Sequence, residues 1–145
     1  MSTQENKAVI RRLFDEFYNG GKIDVVDELF HADCSIHDPS TGDREGAATF
    51  KERHQAQLAV TPDFHMTLED MVAEDDKVAY RWTCRGTDNG IGFMGRPPTG
   101  ISGAFSGMTV ARFAGGKLAE LWHNYDMLGL LQQLGFIPAP GPGGS

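Results

Sequence analysis

Four side chains able to move a proton or hold a developing charge stand at informative places in this sequence: Asp126, Asp38, His54 and Arg81. Asp126 follows a run, Lys117 to Tyr125, that reads as a strand and precedes a short apolar helix from Met127 to Leu134. Residues two apart in a strand share a face, so Glu120, Trp122, Asn124 and Asp126 are expected on one side. A carboxylate beside an amide and a large aromatic suits a general base in an apolar pocket, where burial makes carboxylates more basic. The same Asp is also a preferred helix cap, and the two roles are compatible.

Asp38 ends a second strand-like run, Cys34 to Asp38, stopped by Pro39. Period two puts Cys34, Ile36 and Asp38 on one face, expected inward, although an Asp-Pro turn in which Asp38 bonds its own backbone is the commoner arrangement. His54 falls with Ala47, Phe50 and Leu58 on one helical stripe, expected to face the pocket. His37 adjoins Asp38, and the twist of the strand end makes it a further pocket candidate. His123 alternates away from Trp122 and is expected on the outer sheet face. Arg81 lies between Tyr80 and Trp82 in an apolar strand. It either pairs with Glu69 or Glu120 or stabilises an oxyanion. The expected lining is Phe14, Phe17, His54, Arg81, Trp122, Asn124 and Asp126, with Tyr18, His37 and Tyr80 as further substrate-binding candidates.

The elements that position these groups read in a simple order. A first helix carries Val9, Ile10, Leu13, Phe14 and Phe17 on one stripe, with Thr3 as its cap and Gly20-Gly21 as its end. Asp24 opens a short second helix with Val25, Val26, Leu29 and Phe30. A third runs from about Ala47 to Val60, stopped by Pro62. Four long strands follow, about 64–73, 77–87, 101–113 and 117–125, with turns at Asp75-Asp76 and Gly115-Gly116. Helices first and an antiparallel meander after them give an α+β fold. Residues 1–136 read as one domain and 137–145 as a disordered Pro/Gly-rich tail. The Gly- and Pro-rich stretch 87–100 carries Ile91, Phe93 and Met94 and reads as a lid, or else as a flexible hairpin extension or a dimer contact.

The chain has 145 residues and a net charge of −7. That charge argues against nucleic acid and anionic membranes as partners. Cys34 and Cys84 have no zinc or redox spacing and read as buried free thiols. No metal-ligand set, phosphate loop or nucleophile elbow is present, so the expected chemistry is acid–base work without metal or organic cofactor. A polar N-terminus without an apolar signal segment points to the cytoplasm.

The C-terminal cassette, Gly116-Lys117-Leu118-Ala119-Glu120-Leu121-Trp122, then Asn124-Tyr125-Asp126, then Leu128-Gly129-Leu130-Leu131-Gln132-Gln133-Leu134-Gly135, resembles the SnoaL-like polyketide cyclases. Asp63-Phe64-His65-Met66, Asp76 to Trp82, Gly86-Thr87 and Gly95 to Gly100 follow the same family's order, so the resemblance covers most of residues 5–136. It implies a cone of the nuclear-transport-factor-like superfamily: a strongly curved sheet facing three helices, with a pocket at the mouth. It implies that Asp126 is the acid–base residue. Asp38 resembles the catalytic Asp of the related ketosteroid isomerases, whose oxyanion Tyr is matched here by Phe14. Arg81 resembles the Arg of limonene epoxide hydrolases, with Thr83 where a second Asp belongs. The antibiotic cyclases' pocket His has no counterpart between Ile101 and Phe113.

The expected function is therefore enolisation and intramolecular aldol cyclisation of a small hydrophobic carbonyl compound, with Asp126 as base and Asn124, Arg81 or a pocket His holding the enolate oxygen. A binding domain without turnover, and isomerase- or epoxide-hydrolase-like activity, are the alternatives. A homodimer is expected through the outer sheet face, with residues such as Leu121, His123 and Tyr125.

Overall fold

The computed structural model describes residues 2–138. Most of the expected tail, 139–145, lies outside the described residues. Helix α1 (Thr3–Arg12) is capped by Ser2, one residue before the expected Thr3. The Ser2 hydroxyl accepts from Glu5 N at 3.0 Å, and the Glu5 carboxylate accepts from Ser2 N at 3.2 Å, a reciprocal capping box. The helix runs on as a π-turn over Leu13–Tyr18. Asn19 then stops it, its amide bonding Met66 O at 2.7 Å and Met66 N at 2.8 Å. That double bond ties the helix end to the start of the third strand.

Helix α2 (Val25–Leu29) leads directly into β1 (Phe30–His37). The strand starts earlier than the expected Cys34, because Phe30 pairs across to Leu118 instead of ending the helix. A two-residue β2 (Arg44–Glu45) and helix α3 (Ala47–Val60) follow. The meander is β3 (His65–Glu74), β4 (Lys77–Thr87), β5 (Ser102–Ala114) and β6 (Lys117–Tyr125), closed by α4 (Met127–Gln133). Both expected hairpin turns form: Glu74 pairs with Lys77, and Ala114 with Lys117. The second needs glycines, since Gly115 and Gly116 have φ of 57° and 83°.

The six strands form one open sheet in the order β2-β1-β6-β5-β4-β3. β1 runs parallel to β6 and every other pair is antiparallel. Helices cover the concave face and bury Ile10, Leu13, Phe17, Val26 and Leu29 against it. The fold is thus the α+β cone that the resemblance implied.

An irregularity in β6 decides the site. The β5–β6 register shifts between Phe113↔Leu118 and Arg112↔Glu120, so Leu118 and Leu121, three apart, are both fully buried. Each such leucine contributes roughly 1.5–3 kcal/mol. A regular strand would bury one and expose the other. The bulge instead sends Leu118, Leu121, His123 and Tyr125 toward the helices.

Candidate active site

The cavity under α3 is lined from the sheet by Ile36, Asp38, Trp82, Phe105, His123 and Tyr125, and from the helices by Tyr18, Phe50, Arg53, His54 and Gln57. Its volume is about 160 Å³. That is comparable to the ~150 Å³ apolar cavity that holds one benzene ring. The enclosed part therefore admits about one ring, and a larger ligand extends toward the mouth.

Asp38 points inward with Cys34 and Ile36, as period two requires, and is 8% exposed. Its two oxygens do different things. Oδ1 accepts from Ser40 N at 2.9 Å and Thr41 N at 3.3 Å, the local turn that an Asp-Pro sequence favours. Oδ2 accepts from the Tyr125 hydroxyl at 3.0 Å inside the cavity. The turn fixes the carboxylate and leaves one oxygen facing the ligand space. Burial first, and the Asp38 charge second, raise the Tyr125 phenol above its usual range, so it remains a donor.

His54 packs against Phe17, Tyr18 and Phe64, with ring centroids 4.5, 5.5 and 5.2 Å away. Its Nε2 is buried and has no partner among the described residues. Burial lowers its pKa, which keeps the imidazole neutral. His123 is brought down to about 4, chiefly by burial, with Asp38 raising it and Arg53 lowering it further. The cavity thus holds one carboxylate, two neutral imidazoles and the phenols of Tyr18 and Tyr125, with Arg53 on the helical wall and Arg44 on β2 as cations. Proton abstraction by the carboxylate and hydrogen bonding to a developing oxyanion are both available to such a set.

Several sequence-based placements are corrected. Trp122, Asn124 and Asp126 lie on the outer sheet face, because the β6 bulge reverses the expected parity. Trp122 stacks on His37 there, with centroids 5.5 Å apart. His37 is outside as well: its Nε2 bonds Glu120 at 2.6 Å and its Nδ1 bonds Asp43 at 3.2 Å. Asp126 is exposed, and its Oδ1 accepts from Gly129 N at 2.9 Å, capping α4. Arg81 is exposed on the same outer face, beside Met108, Asn124 and Asp126. It pairs with neither Glu69 nor Glu120; Arg112 takes Glu120 at 3.1 Å. Phe14, Phe17 and Tyr80 are buried core and do not line the cavity. Tyr18, from the π-turn, does.

The lining residues that the sequence reading does not single out include Arg53, Trp82, Phe105, His123 and Tyr125. Trp82 and Arg81 were legible, since Val78, Tyr80, Trp82 and Cys84 alternate strictly and exclude Arg81 from their face. The stretch read as a lid is held on the body. Gly90 N bonds Val60 O at 3.1 Å and Ile91 N bonds Ala59 O at 2.9 Å. A Cβ at Gly90 would collide with Ala59 O, so this docking requires glycine. Phe93 reaches the cavity from this loop, while Ile91 and Met94 stay exposed. Both cysteines are free and buried. No described helix is long and apolar enough to cross a membrane.

The fold matches known structures. A candidate polyketide cyclase from Acidithiobacillus ferrooxidans is 30% identical, with a TM-score of 0.81 over 94% of this chain and 99% of that one. IdmH from Streptomyces antibioticus, also a candidate polyketide cyclase, is 30% identical, with a TM-score of 0.77 over 90% of this chain and 98% of that one. AclR from Streptomyces galilaeus, a candidate hydroxylase, is 28% identical, with a TM-score of 0.81 over 97% and 87%. No curated protein sequence matches significantly. The family model for SnoaL-like polyketide cyclases matches residues 8–134. With that match spanning nearly all the described residues, the chain belongs to the SnoaL-like polyketide cyclase family.

Proposed function

We propose that the protein enolises a small hydrophobic carbonyl compound and closes it by an intramolecular aldol reaction, with Asp38 as the base. The observation that carries this reading is the Tyr125–Asp38 pair inside an apolar cavity. Asp38 takes a proton from the carbon beside the carbonyl. The electron pair moves onto the carbonyl oxygen, where neutral His54 or His123, or the Arg53 cation, can hold the charge. The enolate carbon then attacks a second carbonyl of the same molecule, forming the C–C bond, and the new alkoxide takes up a proton. Positioned base catalysis of this kind contributes roughly 10²–10⁴-fold. The related structures carry both cyclase and hydroxylase descriptions, so the reading rests on the cavity residues and not on those names.

Phenylacetone fits the one-ring space and has an acidic C–H between ring and carbonyl. Its hydrogen–deuterium exchange in D₂O, followed by proton NMR, tests the reading. Acceleration by the wild type and its loss in Asp38→Asn are expected. Binding without acceleration would favour the alternative of a ligand-binding domain.

The outer sheet face is, in the same reading, the surface for a second copy of the chain. Val72, Ala79, Val110 and Trp122 are cross-strand neighbours and make an apolar row across four strands. One flanking row is Glu74, Lys77, Arg112 and Glu120; the other is Asp70, Arg81, Met108 and Asn124. Both carry acid and base together, so a copy turned by a two-fold axis meets complementary charge.

A further inference from the structure

Thr109 sits between the catalytic cavity and the sheet core, and it is 1% exposed. It is the cross-strand neighbour of Tyr80 on β4 and of His123 on β6. Two hydrogen bonds meet its hydroxyl: Trp82 Nε1 at 3.0 Å and His123 Nδ1 at 2.8 Å. The Trp82 bond crosses the sheet diagonally, over Gly107. A Cβ at Gly107 would lie 2.5 Å from the indole, so only glycine leaves room for that ring.

The donor and acceptor inventory fixes the direction of each bond. An indole N–H only donates, so Thr109 Oγ1 is the acceptor there. The Thr109 proton is then left to donate, and of its two partners only His123 Nδ1 can accept it. Thr109 also neighbours the Tyr80 phenol, but the hydrogen bond its hydroxyl makes is the 2.8 Å contact to His123 Nδ1, and breaking it would leave a buried polar group unsatisfied at a cost of about 1–3 kcal/mol. With Nδ1 acting as acceptor, a neutral imidazole carries its proton on Nε2, at the opposite edge of the ring. That nitrogen has no protein partner among the described residues, and His123 lines the cavity.

We infer that Trp82 and Thr109 are positioning residues that lock His123 as its Nε2–H tautomer, so that the cavity offers a ligand's carbonyl oxygen a neutral N–H donor. This rests on the carbonyl chemistry proposed above. It divides the labour: Asp38 is the base and His123 the hydrogen-bond donor. The groups facing His123 agree with a neutral ring. Asp38, just past the end of β1, favours the imidazolium, Arg53 on α3 opposes it, Arg44 on β2 adds a second cation to the cavity wall, and Tyr125, Tyr80 and Trp82 carry no charge near neutral pH. Burial outweighs the Asp38 attraction.

The test is a long-range ¹H–¹⁵N correlation spectrum of the imidazole nitrogens, with the His123 signals assigned by their loss in His123→Gln. The Nε2–H pattern is expected for His123, unchanged between pH 8 and pH 5.5. Thr109→Val keeps the shape but removes the hydroxyl, and should lose that single-tautomer pattern; Thr109→Ser should restore it. Phenylacetone exchange should fall about tenfold or more in Thr109→Val and recover in Thr109→Ser. A wild-type Nδ1–H pattern, or one that Thr109→Val leaves unchanged, would overturn the inference even if exchange is catalysed. The Nε2–H pattern in a protein that catalyses no exchange would leave the tautomer lock standing and sink the enolisation reading instead.

Discussion

The Tyr125 hydroxyl donates to Asp38 Oδ2 at 3.0 Å, joining the ends of two adjacent parallel strands across the cavity floor. Asp38→Asn keeps the shape and the local turn but removes the basic carboxylate. Turnover of an enolisable probe is expected to fall by roughly 10²–10⁴-fold with the fold intact. Tyr125→Phe deletes one donor to the carboxylate and should lower the rate less. Exchange kinetics with circular dichroism as a folding control check both. Undiminished exchange in Asp38→Asn would remove Asp38 from the mechanism.

Asp126 gives the opposite expectation. It lies on the outer face and caps α4 through Gly129. Asp126→Asn retains a capping side chain and should leave both turnover and stability close to the wild type. Asp126→Ala should cost about 0.5–2 kcal/mol of stability, read from denaturant unfolding, while ligand affinity is unchanged. A large loss of activity in Asp126→Asn at full stability would restore it as the base.

The histidines predict a pH dependence with two signs. Glu120, and Asp43 after it, hold His37 above its ordinary value of 6.5, while His37 and Arg112 hold Glu120 below its ordinary 4.5. A raised His stabilises the fold below 6.5 and loses that contribution as pH rises through its folded value. The lowered Glu120 stabilises above 4.5 and loses its contribution as pH falls through its own folded value. The pair therefore contributes most between about pH 4.5 and 6.5. Being partly solvated, it is worth no more than about 1 kcal/mol. His123, lowered to about 4, works the other way: the fold resists its protonation, and stability drains as pH falls from 6.5 toward 4. In thermal melts, His37→Gln should lose more at pH 5.5 than at pH 8.5. His123→Asn should gain relative to the wild type at pH 5 compared with pH 8.

The outer-face row predicts association. Val72 is 64% exposed, Met108 52% and Val110 36%. Val110→Glu puts a charge in the centre of that row without touching the cavity. Light scattering should show a dimer for the wild type at micromolar concentration and a monomer for the variant. A monomeric wild type would refute the proposed interface. Leu121, His123 and Tyr125 face inward and can take no part in it.

Much of this protein is legible in its sequence. Apolar stripes of period 3.6, then runs punctuated by Asp75-Asp76 and Gly115-Gly116, determine an α+β order. The C-terminal cassette determines the family. Asp38 and His54 are also legible, since each sits in phase with unambiguous apolar neighbours: Cys34 and Ile36 for one, Ala47 and Phe50 for the other. Local pattern fails on β6, where it offers two faces of similar quality, Trp122 with Asn124 or Leu121 with Tyr125. A large aromatic suggests the first, but the tertiary structure chooses the second. Burying both Leu118 and Leu121 requires a bulge, and one extra residue in a period-two strand moves every later side chain to the other face. Whether that bulge forms depends on pairing with Arg112 and Phe113 on β5 and on the helices that cover the leucines. Trp122 is satisfied outside only because parallel pairing sets His37 beside it. His37 and the covering helices are distant in sequence, so only the assembled sheet could decide that Tyr125 and His123, and not Asn124 and Asp126, join Asp38 in the cavity.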